Sequence, residues 1–333
     1  MGLGEKTTMR TQAKAFPATL FLFAYNQADT IVEAAMSCLG QVCEPIEIVL
    51  SDDCSTDNTF DQLCQLADKY EGLHTVSVRR NETNLGIARH YNQAVACAQS
   101  DLIIVAAGDD LSEPHRVQSV LQAWRESHGQ LNLIASYATS IDKSGHALGL
   151  IQIGHLEQWP DAQTWCKKRP YVIGATFAFH KRLFKEFGPL ASGVDYEDQV
   201  LSLRAAALGG GRTIPKPLIQ YRQGGLSARV QGDPESLLIH ASNKYRRQLA
   251  VYTQITQDLH TAGKPHLCQG KIAKYIQKSK TALALIARAP HNSTTSMLLF
   301  ALRNPDRPGV IWSLLKLLWI KCPRIAIAFK QKI

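Results

Sequence analysis

Three short apolar runs, each closed by small or acidic residues and followed by residues at helical spacing, constrain this chain more than any other feature. Thr19-Leu20-Phe21-Leu22-Phe23-Ala24 precedes a helical pattern over 29–39, in which Ile31, Ala34, Ala35 and Cys38 share one face. Ile46-Glu47-Ile48-Val49-Leu50 leads into 51–56 and a helix over 57–69. Leu102-Ile103-Ile104-Val105 leads into 106–110 and a helix over 114–126. A further strand at 75–78 comes before a helix at 87–98. Short apolar strands alternating with helices imply a parallel sheet covered on both faces. Ligands of such sheets bind beyond the carboxyl ends of the strands, so the residues just after each run carry the search for chemistry.

Beyond residue 130 the alternation weakens. Strands are expected at 133–137, 172–180 and 217–221, with a helix at 199–208. From Pro234 the pattern is helical: Leu238, Ala241, Tyr245, Leu249, Tyr252, Ile255 and Leu259 step by three or four until Gly263 and Pro265. A second helix over 271–288 puts Lys271, Lys274 and Lys278 on one stripe. A last segment, 310–321, is dense in Leu, Ile and Trp and is broken by Pro323. Charge divides along the same line. Residues 1–232 hold 21 Lys and Arg against 24 Asp and Glu, whereas residues 233–333 hold 16 against 4. A basic C-terminal third favours anionic partners. The eight cysteines form no C-x-x-C pair and no zinc-spaced group, and are read as reduced thiols of a cytoplasmic protein. No run of 18 apolar residues is present, so no membrane span is expected.

Acids mark the ends of the runs. Asp52-Asp53 closes the second, followed by Cys54-Ser55-Thr56-Asp57. A helix N-cap needs one such side chain, and Ser55 or Asp57 would serve. The preceding pair is therefore free to accept the N3–H of uracil or a ribose hydroxyl. Gly108-Asp109-Asp110 closes the third run. Adjacent carboxylates there repel unless hydrogen bonds or a cation compensate. A hard divalent cation bridging diphosphate oxygens does so with one or two protein carboxylates; the competing reading is a solvated turn. A third cluster, Asp195-Tyr196-Glu197-Asp198, precedes the helix at 199–208, where acids also complement a helix dipole.

In this order and at these intervals the clusters resemble the family 2 glycosyltransferases of the GT-A fold. Ala24-Tyr25-Asn26 looks like the family's first strand and turn, and Val49 to Thr59 is similar to its Asp-Asp-Gly-Ser-Thr-Asp block. Asn84-Leu85-Gly86 with Asn92 resembles the Asn-x-Gly…Asn element. Gly108-Asp109-Asp110, with Glu113-Pro114 and Arg116, resembles the metal-binding motif and the helix after it. Gly174-Ala175 with Phe177 resembles the acceptor-side strand, Glu197-Asp198 the Glu-Asp motif, and Tyr221-Arg222 with Ser227 the closing loop. Three positions depart from the pattern. Ala107 replaces a leading Asp, Tyr91 stands where an Arg often precedes Asn92, and Gln223-Gly224-Gly225 lacks a His.

The resemblance implies an α/β GT-A fold, with a Rossmann-like, mostly parallel sheet flanked by helices and a helical C-terminal extension. It divides the chain into a flexible N-terminus (1–15), a catalytic domain (16–232) and a basic helical region (233–333). It implies an inverting enzyme that moves a sugar from a nucleotide-sugar, UDP-linked by preference, to a hydroxyl of a glycan or lipid-linked acceptor in bacterial surface polysaccharide synthesis. Tyr25, Asn26, Asp52, Asp53, Asn84, Gly86, Asn92, Asp109 and Arg222 would bind the donor, Arg222 by neutralising phosphate from a flexible loop. Asp110 and Asp109 would hold Mn²⁺ or Mg²⁺, and Asp198 would be the base, supported by Glu197. Two other classes compete with this reading. A non-catalytic GT-A scaffold fits Ala107 and the altered closing loop. A nicotinamide oxidoreductase does not fit, because Tyr25-Asn26-Gln27 stands where G-x-G-x-x-G is needed. Nucleic acid is not an expected partner, since the tail carries no reading motif. Residues 309–333, with Trp312, Trp319 and flanking lysines, are expected to lie on an anionic membrane from the cytoplasmic side, with packing on the domain or on a second subunit as the competing reading.

Overall fold

The three apolar runs and the strand expected at 75–78 become four parallel strands. In the computed structural model, which describes residues 16–224 and 234–288, β1 (Thr19–Ala24), β2 (Glu47–Asp52), β3 (Thr75–Arg80) and β4 (Leu102–Ala107) lie in the order β3-β2-β1-β4. Every residue of β1 and β2 is buried, as two covered faces require. Helices α1 (Ile31–Leu39), α2 (Thr59–Asp68), α3 (Ile87–Cys97) and α4 (Arg116–Glu126) follow the strands in turn. Because side chains alternate along a strand, Leu20 and Leu22 enter a core with Ile31, Leu63, Val117 and Leu121, whereas Phe21 and Phe23 enter another with Tyr91, Ala94 and Phe177.

The second half of the sheet is mixed. After the two-residue β5 (Leu111–Ser112) come β6 (Leu133–Ile141), β7 (Ala147–Ile151), β8 (Ala178–His180) and β9 (Arg212–Arg222). β8 pairs antiparallel with both β4 and β6, β6 runs parallel to β9, and β5 and β7 add antiparallel to β9 and β6. Several of these elements were shorter or absent in the sequence reading. Pro215 and Pro217 interrupt the pattern of β9; its register with β6 shifts around Tyr137, which lets residues unable to donate sit inside a long strand. The segment at 172–180 is largely a 3₁₀ turn, Gly174–Thr176, leaving three residues for β8. β7 escapes the periodicity test because nearly all of it is exposed.

Three more helices lie between β7 and β9: α5 (Ala162–Lys167), α6 (Arg182–Phe187) and α7 (Glu197–Ala207). The C-terminal pair, α8 (Pro234–Thr261) and α9 (Lys271–Arg288), does not form a core of its own. Val251, Tyr252, Ile255, Leu259 and Ile272 join the cluster that contains Leu183, Leu190 and Leu203. A buried ion pair fastens the joint: Arg204 Nε of α7 lies 2.7 Å from Asp258 Oδ2 of α8. Gln254 donates to Asp258 at 2.8 Å and accepts the Ala191 N–H at 2.8 Å. The expectations for residues 1–15, Ser227 and 309–333 fall outside the described residues. Among those described, no helix is long and apolar enough to cross a membrane.

Removing one partner of a buried pair strands the other charge, which costs about 3–5 kcal/mol. Asp258→Ala is therefore expected to lower unfolding free energy by about that amount in urea titrations; a loss under about 1 kcal/mol, the scale of a surface pair, would contradict the joint.

Candidate active site

The carboxyl ends of β1, β2 and β3 are tied into one platform. Asn26, at φ 50°, donates its N–H to Ser55 Oγ (2.9 Å) and accepts the Thr56 N–H on Oδ1 (2.8 Å). This leaves the Tyr25 ring 44% exposed at the edge. Asp53 is buried, and its carboxylate accepts from Asn81 Nδ2 (2.7 Å) and the N–H groups of Leu85 (2.9 Å) and Gly86 (2.8 Å). A carboxylate offers about four acceptor sites, so one remains for a ligand N–H. Asn84 shapes the same loop by accepting the Gly86 N–H (3.1 Å), and Gly86 takes φ 72°, a conformation that favours glycine.

Three expected donor contacts have other duties. Asp52 is fully buried: it accepts from the Ser55 N–H (2.9 Å) and hydroxyl, and pairs with Arg80 at 3.3 Å. It holds the turn instead of facing a ligand. Asn92 clamps Leu190, donating to its carbonyl (2.9 Å) and accepting its N–H (2.8 Å). Arg222 ends β9 as a buried side chain, not on a loose loop. Its guanidinium donates to the carbonyls of Asp109 (3.0 Å), Asp142 (3.2 Å) and Lys143 (2.7 Å) and to the Glu33 carboxylate. Its work is to fix the chain around the acids.

At the end of β4, Gly108 packs close to Gln27: a Cβ there would lie 2.4 Å from its Oε1, so that side chain would have to shift. The turn delivers Asp109 and Asp110 side by side. Asp110 accepts the Arg222 N–H at 2.8 Å and is otherwise enclosed. Burial, then the charge of Asp109, pushes its carboxyl up to about 8. Burial also raises Asp109, against the pull of a hydrogen bond from its own backbone, the charge of Arg222 and Gln27. Among the described residues no three His, Cys, Asp or Glu side chains converge on a metal position. Two hard, crowded carboxylates fit a divalent cation that draws the rest of its shell from phosphate and water.

The second acid pair stands on the first turn of α7, against the turn that precedes β8. A Cβ on Gly174 would lie 2.4 Å from Glu197 Oε1 and 3.7 Å from Asp198 Cβ. Burial, followed by the charge of Asp198, lifts Glu197 to about 8; burial lifts Asp198 to about 6, opposed by the Gln199 N–H. Arg116, fully buried, joins the two pairs. It donates to Ser112 Oγ (2.9 Å), just past Asp110, and to the carbonyls of Val105 (2.6 Å) and Ala175 (2.9 Å). Its charge acts on both Asp110 and Tyr91.

Arg79, Arg80 and Asn81 stand beside the named acids, although no expectation from the sequence includes them. Arg79 donates to Ser51 Oγ and Asn81 Oδ1, both at 2.7 Å, beside His90, whose ring nitrogen lies 2.5 Å from Ser51 Oγ. Burial holds His90 down at about 4, so it stays neutral. The available signal was position alone: these residues end β3, as the named acids end β2 and β4.

The model of the glycosyl transferase family 2 matches residues 19–188, and the chain belongs to that family. It is a glycosyltransferase. It is 25% identical over 304 residues to the succinoglycan biosynthesis protein ExoO of Rhizobium meliloti, covering 86% of this chain and 81% of that protein. It is 32% identical over 129 residues to the putative teichuronic acid biosynthesis glycosyltransferase TuaG of Bacillus subtilis, covering 37% of this chain and 50% of TuaG. S. aureus TarS 1–349 in complex with UDP-GlcNAc superposes with a TM-score of 0.54 at 16% identity over 91% of this chain and 81% of TarS. The mannosyltransferase PcManGT of Pyrobaculum calidifontis, in complex with GDP-Man and Mn²⁺, gives a TM-score of 0.50 at 16% identity over 93% of this chain and 88% of that one. The fold is that of the GT-A glycosyltransferases.

Glu197 keeps its proton up to about 8 when folded but releases it from 4.5 when unfolded. Between these values the unfolded chain binds fewer protons, so this group's stabilisation declines as pH rises through the window. Glu197→Gln is expected to flatten the fall of melting temperature between about pH 5 and about pH 8. An unchanged slope would place the proton elsewhere.

Proposed function

We propose that this enzyme transfers a sugar, with inversion, from a nucleotide-sugar to a hydroxyl of a glycan or lipid-linked acceptor. The observation that carries this reading is the pairing of two acid clusters at one end of the sheet, half-buried except for the buried Asp110 and tied through Arg116 and the Gly174–Ala175 turn. Asp53, with its remaining acceptor site, and Tyr25, with an exposed ring, form the end that receives the nucleoside. An acceptor at Asp53 suits the N3–H of uracil, which favours UDP. Asp109 and Asp110 would hold Mn²⁺ or Mg²⁺, which when bound supplies positive charge against the leaving diphosphate. Nucleotide-sugars in the TarS and PcManGT structures, and Mn²⁺ in the latter, support this class of donor and ion. The names of ExoO and TuaG support a role in building a bacterial surface polysaccharide.

Asp198 is the base. It removes the proton of the acceptor hydroxyl while that oxygen attacks the anomeric carbon and the bond to the diphosphate breaks; one displacement inverts the configuration. A group raised to about 6 is ionised at neutral pH yet more basic than an ordinary aspartate. Glu197, raised to about 8, stays protonated there, so the pair presents a single negative charge.

Asp198→Asn is expected to keep donor binding, measured by calorimetry with Mn²⁺, and to lose about 10²–10⁴-fold in turnover. Asp110→Ala is expected to lose the metal-dependent part of donor affinity. Screening nucleotide-sugars by thermal shift selects the donor for both assays. Full activity in both variants would remove the mechanism, and a wild-type chain that binds a donor but never turns it over would favour the scaffold reading.

A further inference from the structure

Behind Asp53 lies a chain of polar side chains with no part in the transfer chemistry. β2 and β3 run parallel with Ser51 opposite Arg79. Side chains alternate along a strand, so Asp53 and Asn81, two residues further on, return to the same face. Ser51, Asp53, Asn81 and His90 are all buried, and Arg79 is half-buried. The Arg79 guanidinium forks between the two levels: Nη1 donates to Ser51 Oγ and Nη2 to Asn81 Oδ1, both at 2.7 Å. Ser51 Oγ is held in turn by His90 Nε2, 2.5 Å away on α3. The His90 ring stands edge-on to Phe21 and Phe23, at 5.9 and 4.9 Å. Asn81 passes the constraint forward, for its Nδ2 donates to Asp53 Oδ1 at 2.7 Å.

The chemistry of the groups gives this chain a direction. A guanidinium has only donors, whereas an amide has one oxygen and one NH₂. Asn81 therefore turns its oxygen to Arg79 and its NH₂ to Asp53. Flipped, it would set NH₂ against a cation and oxygen against a carboxylate. Its main chain is fixed as well, the N–H donating to the Asp52 carbonyl at 2.9 Å. Asp53 Oδ1 thus receives two donors, Asn81 and the Leu85 N–H at 2.9 Å, while Oδ2 receives only the Gly86 N–H at 2.8 Å. The acceptor site left over is on Oδ2, and it suits an N–H. Uracil N3 carries such a hydrogen; cytosine N3 carries a lone pair, which the carboxylate repels. Sealing β3 to β2 does not call for these side chains, because main-chain pairing from Glu47–Thr75 to Asp52–Arg80 already does so.

We infer that Arg79 and Asn81 are positioning residues for nucleobase selection: the Arg79 fork fixes the Asn81 amide, which holds Asp53 with one acceptor site open to a ring N–H, and so favours uridine over cytidine. This rests on the reading of Asp53 as the nucleobase acceptor. Neither residue is placed on the nucleotide; both act through Asp53.

Calorimetric titration of the full chain with UDP and with CDP, each with Mn²⁺, tests the relay. The two nucleotides share ribose, diphosphate and metal, so the ratio of their Kd values isolates the base. Wild type is expected to favour UDP. Arg79→Met keeps the apolar stem but has no donor; it is expected to weaken UDP about tenfold, the worth of one hydrogen bond to a charged group, and to leave CDP unchanged. Asn81→Ala breaks the same link without altering charge and is expected to narrow the preference equally. A purely structural role would weaken both nucleotides alike. In an Asp53→Ala background, Arg79→Met leaves the ratio where it is. A wild-type ratio in Arg79→Met and Asn81→Ala, or equal weakening of UDP and CDP, overturns the proposal. Asp53→Ala alone separates the relay from the reading beneath it. If that variant keeps the preference, or wild type shows none, the nucleobase role of Asp53 fails and the relay with it. If Asp53→Ala abolishes the preference while the other two variants retain it, the relay alone fails.

Discussion

The active-site edge depends on one buried cation. Arg116 is fully enclosed, yet its guanidinium bonds a carbonyl of β4, the hydroxyl of Ser112 and the carbonyl of Ala175. Burial lowers it to about 10, so it remains charged at neutral pH. A charge placed there is costly unless its hydrogen bonds and opposing charges are held in place. Ser112, the end of β4 and the turn before β8 supply those hydrogen bonds to its two terminal nitrogens, while its buried Nε has no partner among the described residues. The same cation restrains the segment after Asp110 and the segment against Glu197, so the acid pairs cannot drift apart independently.

The sheet sets apart the tasks proposed for the two pairs. Asp109 and Asp110 leave the carboxyl end of β4, next to the β1 and β2 ends that carry Tyr25 and Asp53. One side of the cleft is therefore suited to a nucleoside and its phosphates. Glu197 and Asp198 arrive later in the chain, on a helix placed by α8 through Arg204 and Asp258. The C-terminal helices thus contribute to the placement of the proposed base, although they lie well beyond the strand ends proposed to receive the donor.

Much of this was readable in the residues. Apolar runs with full burial on both faces left an unmistakable pattern in β1, β2 and β4, and their terminal acids pointed to the site. β7 was invisible because its exposed Ala-Leu-Gly-Leu-Ile lacks an inside and an outside, and the prolines of β9 masked a strand that bulges to hold them. Residue roles were harder to read than positions. Asp52, Asn92 and Arg222 belong to the family's pattern, but only coordinates reveal that a turn, a leucine backbone and a neighbouring hairpin already occupy their polar atoms.

The most direct test is anomalous diffraction from crystals of the full chain grown with Mn²⁺ and UDP. The account predicts an anomalous peak coordinated by Asp109 or Asp110 and by the diphosphate, with the terminal phosphate facing the cleft that Asp198 borders. A nucleotide bound with its metal away from both aspartates, or with Asp198 turned toward a different surface, would contradict it.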